Sequence, residues 1–209
     1  FTEKAYSSET KQNYPAIITA FKDKDSQLKG IEIIYLDKET SNKADLNIQK
    51  RSLGSKASFG IELQCEPQKD GVSFMAEGIE TTLSIRDSVG ENSHIMAISG
   101  KGNFTNINPE MLSDIVVLCL DNDGINTEDQ TVNETISRLE SAGKTVYSVM
   151  PNEAKTDFND LLKTHGTDTI KDKIIHDIAK EFNINDESDL RKITQIVLDK
   201  HSDFDKNTI

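Results

Sequence analysis

The sequence predicts an α/β fold in which helices cover a parallel sheet, preceded by a small β-rich subdomain and followed by C-terminal helices. From residue 72 onward, short apolar runs alternate with segments of helical periodicity, as in βαβ units. Before that point, β-type runs are separated by polar turns. We therefore divide the chain into a β-rich part, residues 1–66, an α/β part, residues 67–166, and a helical extension, residues 167–209.

In the β-rich part, the clearest signal is a hairpin. Tyr14–Phe21 and Ile31–Leu36 are strand-like and flank a polar turn that ends at Gly30. A further strand is predicted over Ser58–Leu63. Residues 1–13 are polar, and we expect them to be frayed.

The α/β part contains four strand candidates with helical segments between and after them. The run Ile115–Leu120 is apolar throughout, as in a central strand buried on both faces. The strands are predicted at Val72–Ala76, His94–Ile98, Ile115–Leu120 and Thr145–Met150. Helices are predicted at Ile79–Val89, Asn108–Leu112, Asn126–Ala142 and Asp157–His165, and two more lie in the extension on either side of Asn183–Asp189.

Composition limits the classes of function. The net charge is −12, which argues against tight nonspecific binding of nucleic acid by this chain alone. No apolar run is long enough to span a membrane, so we expect no membrane partner. Cys65 and Cys119 form no CxxC pair, which disfavours structural zinc and suits a cytoplasmic location. The chain opens on Phe1, so we expect it to be part of a longer protein whose other domains contribute to function.

Acidic residues follow three of the predicted strands. Glu77 comes directly after the first strand, Asp121 and Asp123 after the third, and Asp157 a short loop after the fourth. Ligands of parallel α/β sheets bind beyond the carboxyl ends of the strands, so these side chains should converge. Residues two apart in an extended chain point the same way, which aims Asp121 and Asp123 at one spot. Clustered carboxylates are typical of a site for Mg²⁺, or Mn²⁺, together with substrate phosphate. Taken alone, however, Asp-Asn-Asp-Gly is also a common turn sequence.

Three segments resemble the motifs of the Toprim family, which primases, topoisomerases and related nucleases share. Ala76–Ser84 resembles its Glu-Gly motif, Cys119–Gly124 its Asp-x-Asp motif, and Lys155–Leu162 a Lys-x-Asp-x-Asn-Asp element that opens a helix. Their order and spacing are similar to the family's over roughly residues 14–165. The resemblance is greatest to phage- and plasmid-type primases, a subgroup also found within conjugative-transfer relaxases. No tyrosine stands in an obvious topoisomerase role, which disfavours that class.

The resemblance implies a role for each acidic residue. Glu77 acts in acid/base chemistry or as a metal ligand, and Asp121 and Asp123 bind Mg²⁺. Asp157 completes the metal site with Asn159 or Asp160 nearby. Glu80 lies one helical turn after Glu77 and faces either the cluster or solvent.

The leading hypothesis for function is magnesium-dependent nucleotidyl transfer by a primase-like domain, with single-stranded DNA and nucleotides as partners. A Toprim nuclease, and a non-catalytic nucleic-acid-binding module of a relaxase, use the same carboxylates and remain alternatives. Lys50 and Arg51 are candidates for nucleic-acid phosphate contacts, although a solvated basic turn explains them equally well. Lys101 lies in Ser99-Gly100-Lys101-Gly102, which could hold a phosphate or be a plain loop.

Overall fold

A computed structural model describes residues 1–124, 130–181 and 187–198. The chain divides into two compact units, residues 1–61 and residues 62–209. In the described ranges, no helix combines the length and the hydrophobicity needed to cross a bilayer.

The first unit contains one antiparallel sheet whose strands follow one another in chain order. Its strands are β1 (Thr2–Ser7), β2 (Gln12–Lys22), β3 (Leu28–Tyr35) and β4 (Lys50–Gly54). The predicted hairpin is confirmed as β2–β3, with Ile17 opposite Ile34. In the turn between the strands, the Asp23 carboxylate accepts hydrogen bonds from the backbone N–H groups of Asp25 and Gln27.

One expectation for this unit was wrong. Residues 1–13 are not frayed, because β1 pairs with β2 through Tyr6 opposite Asn13 and buries Ala5. The strand was missed because β1 carries few apolar residues, and its hydrogen-bonded partner supplies the stability that its own sequence does not show. The basic stretch at residues 50–54 is the strand β4, which pairs with β3, so that of the two interpretations of this stretch the turn is excluded.

The second unit is built on a five-stranded sheet in the order β5-β7-β6-β8-β9, in which β7, β6, β8 and β9 run parallel. The strands are β5 (Ile61–Gln64), β6 (Val72–Ala76), β7 (His94–Ala97), β8 (Ile115–Cys119) and β9 (Thr145–Val149). The register aligns their ends, because Ala76 lies opposite both Ala97 and Cys119, and Cys119 lies opposite Val149. Residues that follow these positions therefore emerge together at the carboxyl edge.

Helices cover both faces of this sheet. They are α1 (Ile79–Ser88), α2 (Gln130–Ser141), α3 (Phe158–His165), α4 (Thr167–Glu181) and α5 (Glu187–Leu198), with short 3₁₀ helices at Lys101–Asn106 and Pro109–Met111. The helix predicted at 108–112 is thus a 3₁₀ turn, and the predicted start of α2 at 126–129 lies outside the described residues.

Alternate residues of β8 face the two layers. Val117 and Cys119 belong to the apolar cluster that α1, α3, α4 and α5 complete, which includes Ile174 of α4 and Ile193 of α5. Val116 and Leu118 belong to the opposite cluster, which α2 and the 3₁₀ helices complete. The C-terminal helices therefore pack on the sheet.

Candidate functional site

The acidic site lies at the carboxyl edge of the parallel sheet. Glu77 follows β6 directly, and Asp121 comes two residues after the end of β8. Glu77, Asp121 and Asp123 all line one cavity of about 690 Å³. The aligned register of β6 and β8 brings these residues, 44 positions apart in the chain, to a common edge.

Asn122 fixes the segment that carries the two aspartates. Its side-chain Nδ2 donates to the carbonyl of Pro151 at 2.9 Å, and its Oδ1 accepts from the N–H of Gly124 at 3.1 Å. Its backbone forms an antiparallel bridge with Thr156. Asn122 is thus bonded both to the loop after β9 and to its own turn. Because Asp121 and Asp123 are its neighbours in the chain, these bonds hold both aspartates in place.

Asp157 is held at the N-terminus of α3. Its Oδ1 accepts from the N–H of Asp160 at 2.8 Å, and the Asp160 carboxylate accepts from the Asp157 N–H at 3.3 Å, which forms a capping box. Its other oxygen, Oδ2, accepts from the hydroxyl of Thr81 on α1 at 3.2 Å. The bridge from Asn122 to the neighbouring Thr156 ties this helix start to the Asp-x-Asp turn.

Four of the residues with left-handed backbone lie in the loops around the site. Gly100 (φ 113°) and Gly124 (φ 73°) occupy a region that glycine adopts without steric cost, in the loops after β7 and β8. Ser99 (φ 53°) and Lys155 (φ 63°) adopt positive φ without being glycine, which is strained. Such strain is frequently retained at functional sites, where loop geometry sets the direction of a side chain.

The electrostatics of Asp121 single out this carboxylate. Burial, together with the nearby carboxylates of Asp157, Glu77 and Asp123, raises the pKa of Asp121 to about 6. Its Oδ1 is buried and has no hydrogen-bond partner among the residues that the structure describes. A buried carboxylate oxygen left unpaired among other carboxylates fits the oxygen ligands that Mg²⁺ or Mn²⁺ prefers.

The described side chains are nevertheless not arranged as a finished metal site. Within the described ranges, no group of three or more His, Cys, Asp or Glu side chains lies close enough together to hold a metal ion. Two of the acidic groups are engaged elsewhere: Asp123 accepts the ammonium of Lys101 at 3.0 Å, and Asp157 caps α3. A cation that binds Asp123 through Oδ2 would therefore have to displace the Lys101 ammonium.

A lysine that the sequence did not single out lines the same cavity. Lys173 on α4 has a side chain only 12% exposed, and its ammonium contacts Asp177 at 2.7 Å and Asn152 Oδ1 at 2.6 Å. It thereby anchors the loop after β9 to α4. The Lys-Asp spacing of four residues was readable in the sequence, but periodicity does not tell which helical ion pair faces a cavity.

The remaining candidate residues have separate surroundings. The Glu80 carboxylate lies close to Gly78, with Oε2 3.7 Å from where a Cβ on that glycine would stand. Asn159 accepts a hydrogen bond from Ser84 of α1 at 3.4 Å, and Asp160 is exposed in the capping box. Lys50 and Arg51 are exposed residues of β4 in the first unit.

Together, the parallel sheet, the helices on both faces and the carboxylates at one edge define an α/β domain with an acidic site at the carboxyl edge of its sheet. Comparison with known families is more specific. Residues 72–168 match the family model described as "Toprim domain", and residues 1–63 match "Domain of unknown function (DUF7146)". The chain therefore contains a Toprim domain, as the three motifs predicted, and α4 lies almost entirely beyond the match. No curated protein matches the sequence.

Solved structures of primases share the fold. A DNA primase domain from Pseudomonas aeruginosa matches with a TM-score of 0.51 at 15% identity, over 86% of this chain and 59% of its own. The Aquifex aeolicus primase (zinc-binding and RNA polymerase domains) matches at 0.55 and 14%, over 90% and 48%. A DnaG primase catalytic domain bound to single-stranded DNA matches at 0.51 and 12%, over 95% and 69%. The chain thus spans less than two thirds of the length of the first two structures.

Proposed function

We propose that this chain is the Toprim part of a primase-type nucleotidyltransferase, which joins nucleotides on a single-stranded DNA template with Mg²⁺ or Mn²⁺. The observation that carries the proposal is the buried Oδ1 of Asp121, to which no residue of the described ranges donates a hydrogen bond, among the carboxylates of Glu77, Asp123 and Asp157. It lies in a Toprim domain whose fold is similar to that of primases.

Each acidic residue has a distinct part in the proposed reaction. Asp121, Asp123 and Asp157 hold the divalent cation, which supplies positive charge to the reacting phosphate when bound. Glu77 takes the proton from the attacking 3′-hydroxyl. The hydroxyl oxygen then bonds to the α-phosphorus of the incoming nucleotide, and the bond from that phosphorus to pyrophosphate breaks. Asn122 keeps the two aspartates in place through its bonds to Pro151 and Gly124.

The proposed contacts to single-stranded DNA are Lys50 and Arg51. Both are exposed on β4, in the part of the chain where basic residues outnumber acidic ones: residues 1–60 hold 10 Lys and Arg against 8 Asp and Glu, a net of +2. The rest of the chain carries −12 − 2 = −14, which repels phosphate. We therefore expect weak binding that depends on divalent cation.

Primer synthesis tests the catalytic proposal directly. The chain is incubated with single-stranded DNA, labelled nucleoside triphosphates and Mg²⁺ or Mn²⁺, and products are resolved on a denaturing gel. We expect short oligonucleotides from the wild type and from Asp172→Asn, an exposed carboxylate on α4 outside the site. The double variant Asp121→Asn/Asp123→Asn should lose the product along with Mn²⁺ binding in a titration.

Other outcomes identify the alternatives. Cleavage of the DNA without nucleotides, lost in the same double variant, indicates a nuclease. Metal-dependent DNA binding with neither synthesis nor cleavage indicates a binding module. Equal Mn²⁺ binding by the wild type and the double variant contradicts the metal site itself.

A salt titration followed by fluorescence anisotropy tests the DNA contacts. Lys50→Ala/Arg51→Ala should weaken binding to all sequences alike and flatten the dependence on log salt by about 0.7 for each phosphate that is no longer neutralised. Lys38→Ala, an exposed lysine of the same unit, serves as the control. Tight binding in chelator that these changes leave intact contradicts the assignment.

A further inference from the structure

Lys101 reaches the acidic edge from a loop whose backbone is strained and tied down. The loop follows β7, and its Ser99 and Gly100 both have positive φ. The N–H of Gly100 donates to the carbonyl of Glu77 at 3.4 Å, and the Asn103 side chain donates to the carbonyl of Ile98 at 2.9 Å. The loop thus fixes the start of the Lys101 side chain next to the first acidic residue of the site.

The ion pair that Lys101 makes is poorly explained as a folding contact. Its Nζ lies 3.0 Å from Asp123 Oδ2, with side chains 35% and 62% exposed. Exposed ion pairs contribute little to folding, and this one requires a loop with left-handed residues. The pair does, however, place a positive charge among the carboxylates that the proposed metal site needs, where it acts on the pKa of Asp121 against its acidic neighbours.

We propose that Lys101 is an exchangeable counter-ion that links metal binding to nucleotide binding; the inference rests on the proposed function. Without divalent cation, the ammonium neutralises Asp123. When a cation takes that carboxylate, the ammonium is displaced from it and repelled by the new charge. It then turns within the cavity that it lines with Glu77 and Asp121, and contacts the polyphosphate of a nucleotide.

The lysine side chain suits this exchange. Its compact ammonium sits on a flexible four-carbon stem, so it changes partner without movement of the backbone. Binding of the cation and binding of the polyphosphate are thereby coupled. The cation favours the lysine position that contacts phosphate, and the polyphosphate favours the position that leaves Asp123 open to the cation, so the coupling is reciprocal. A lysine that only neutralised Asp123, or only bound phosphate, would not couple the two ligands in this way.

Removing the ammonium separates these roles, because its effects on the two ligands have opposite signs. Lys101→Met keeps most of the stem and removes the charge. Lys69→Met is the matched control, since Lys69 is exposed and lies just before β6, at the amino end of the sheet. Mn²⁺ affinity is measured without nucleotide by the paramagnetic resonance of the free ion. Affinity for α,β-methylene adenosine triphosphate is then measured by calorimetry at saturating Mn²⁺.

We expect Lys101→Met to bind Mn²⁺ about fivefold more tightly than the wild type and the triphosphate analogue about fivefold more weakly, a scale typical of coupling between sites. The control should match the wild type in both. A change in Mn²⁺ affinity alone, or in analogue affinity alone, overturns the exchange while leaving the metal site intact. Weaker Mn²⁺ binding by the variant also overturns it. Absence of Mn²⁺ binding by the wild type overturns both this inference and the proposed function.

Discussion

Replacing Asp121 by asparagine should stabilise the metal-free protein. Burial and the carboxylates of Asp157, Glu77 and Asp123 disfavour the charge on Asp121, and asparagine removes that charge while keeping the shape. Residues that serve function commonly lower the stability of the fold in this way. The substitution therefore tests whether the Asp121 carboxylate serves cation binding or stabilises the fold.

The magnitude follows from the pKa of Asp121, which is about 6 in the folded chain against an ordinary value of 3.8. A difference of about two pH units corresponds to about 3 kcal/mol at most, and screening of this partly solvated group reduces it to about 1–2 kcal/mol. Between these pKa values the folded state binds more protons than the unfolded state. The wild type therefore loses stability relative to the variant as pH rises from about 4 to 6, and the full difference persists above pH 6.

Urea unfolding in chelator at pH 4 and pH 8 measures the effect. We expect the variant to be about 1–2 kcal/mol more stable than the wild type at pH 8, and equal to it at pH 4. Adding Mg²⁺ should stabilise the wild type and not the variant. Asp172→Asn should change nothing. A variant that is less stable than the wild type in chelator at pH 8 would show that Asp121 is a structural residue and refute the reasoning.

Two further predictions concern residues around the site. Burial lowers the pKa of His94, whose Nδ1 lies 2.7 Å from the Ser73 hydroxyl, to about 4. The free energy of unfolding should therefore fall by up to about 3 kcal/mol as pH falls from 6.5 towards 4. Urea unfolding of the wild type and of His94→Gln over this pH range should show the loss in the wild type alone. Parallel pH dependence of stability in the two proteins would contradict it. Lys173→Met leaves the Asp177 carboxylate without its ammonium and should lower the free energy of unfolding by about 1–2 kcal/mol, whereas Lys180→Met, which changes an exposed lysine, should not. Urea unfolding of the two variants measures the difference, and equal stabilities would contradict it.

The sequence predicted the parallel sheet well because its strands are rich in apolar residues and its central strand, β8, is apolar and buried throughout. The predicted strand Val72–Ala76 has the bounds of β6, and the run from Ile115 differs from β8 by one residue at its end. It failed at β1 and β4, where few apolar residues point inward and pairing with a neighbouring strand supplies the order. Strand pairing is a long-range property that local composition does not reveal.

For the candidate site too, local sequence predicted some features and not others. Positions after strand ends predicted that Glu77 and Asp121 meet, because the carboxyl edge of a parallel sheet gathers such residues whatever their separation in the chain. The partners of these carboxylates were not predictable. The pairing of Lys101 with Asp123 depends on the backbone of one loop, and Lys173 reaches the cavity only because α4 packs on the sheet.

The charge at this edge explains why a divalent cation is integral to the proposed function. Four carboxylates and one ammonium determine the charge around Asp121. The carboxylates are those of Glu77, Asp121 itself, Asp123 and Asp157, and the ammonium is that of Lys101. With all four ionised, their sum is −4 + 1 = −3. A polyphosphate that approaches such an edge is repelled, and one divalent cation still leaves a net charge of −1, so that two are needed to reverse the sign. Lys101 alone cannot supply this charge. Its ammonium is already counted in the sum, and release from Asp123 moves that charge to the side that meets phosphate.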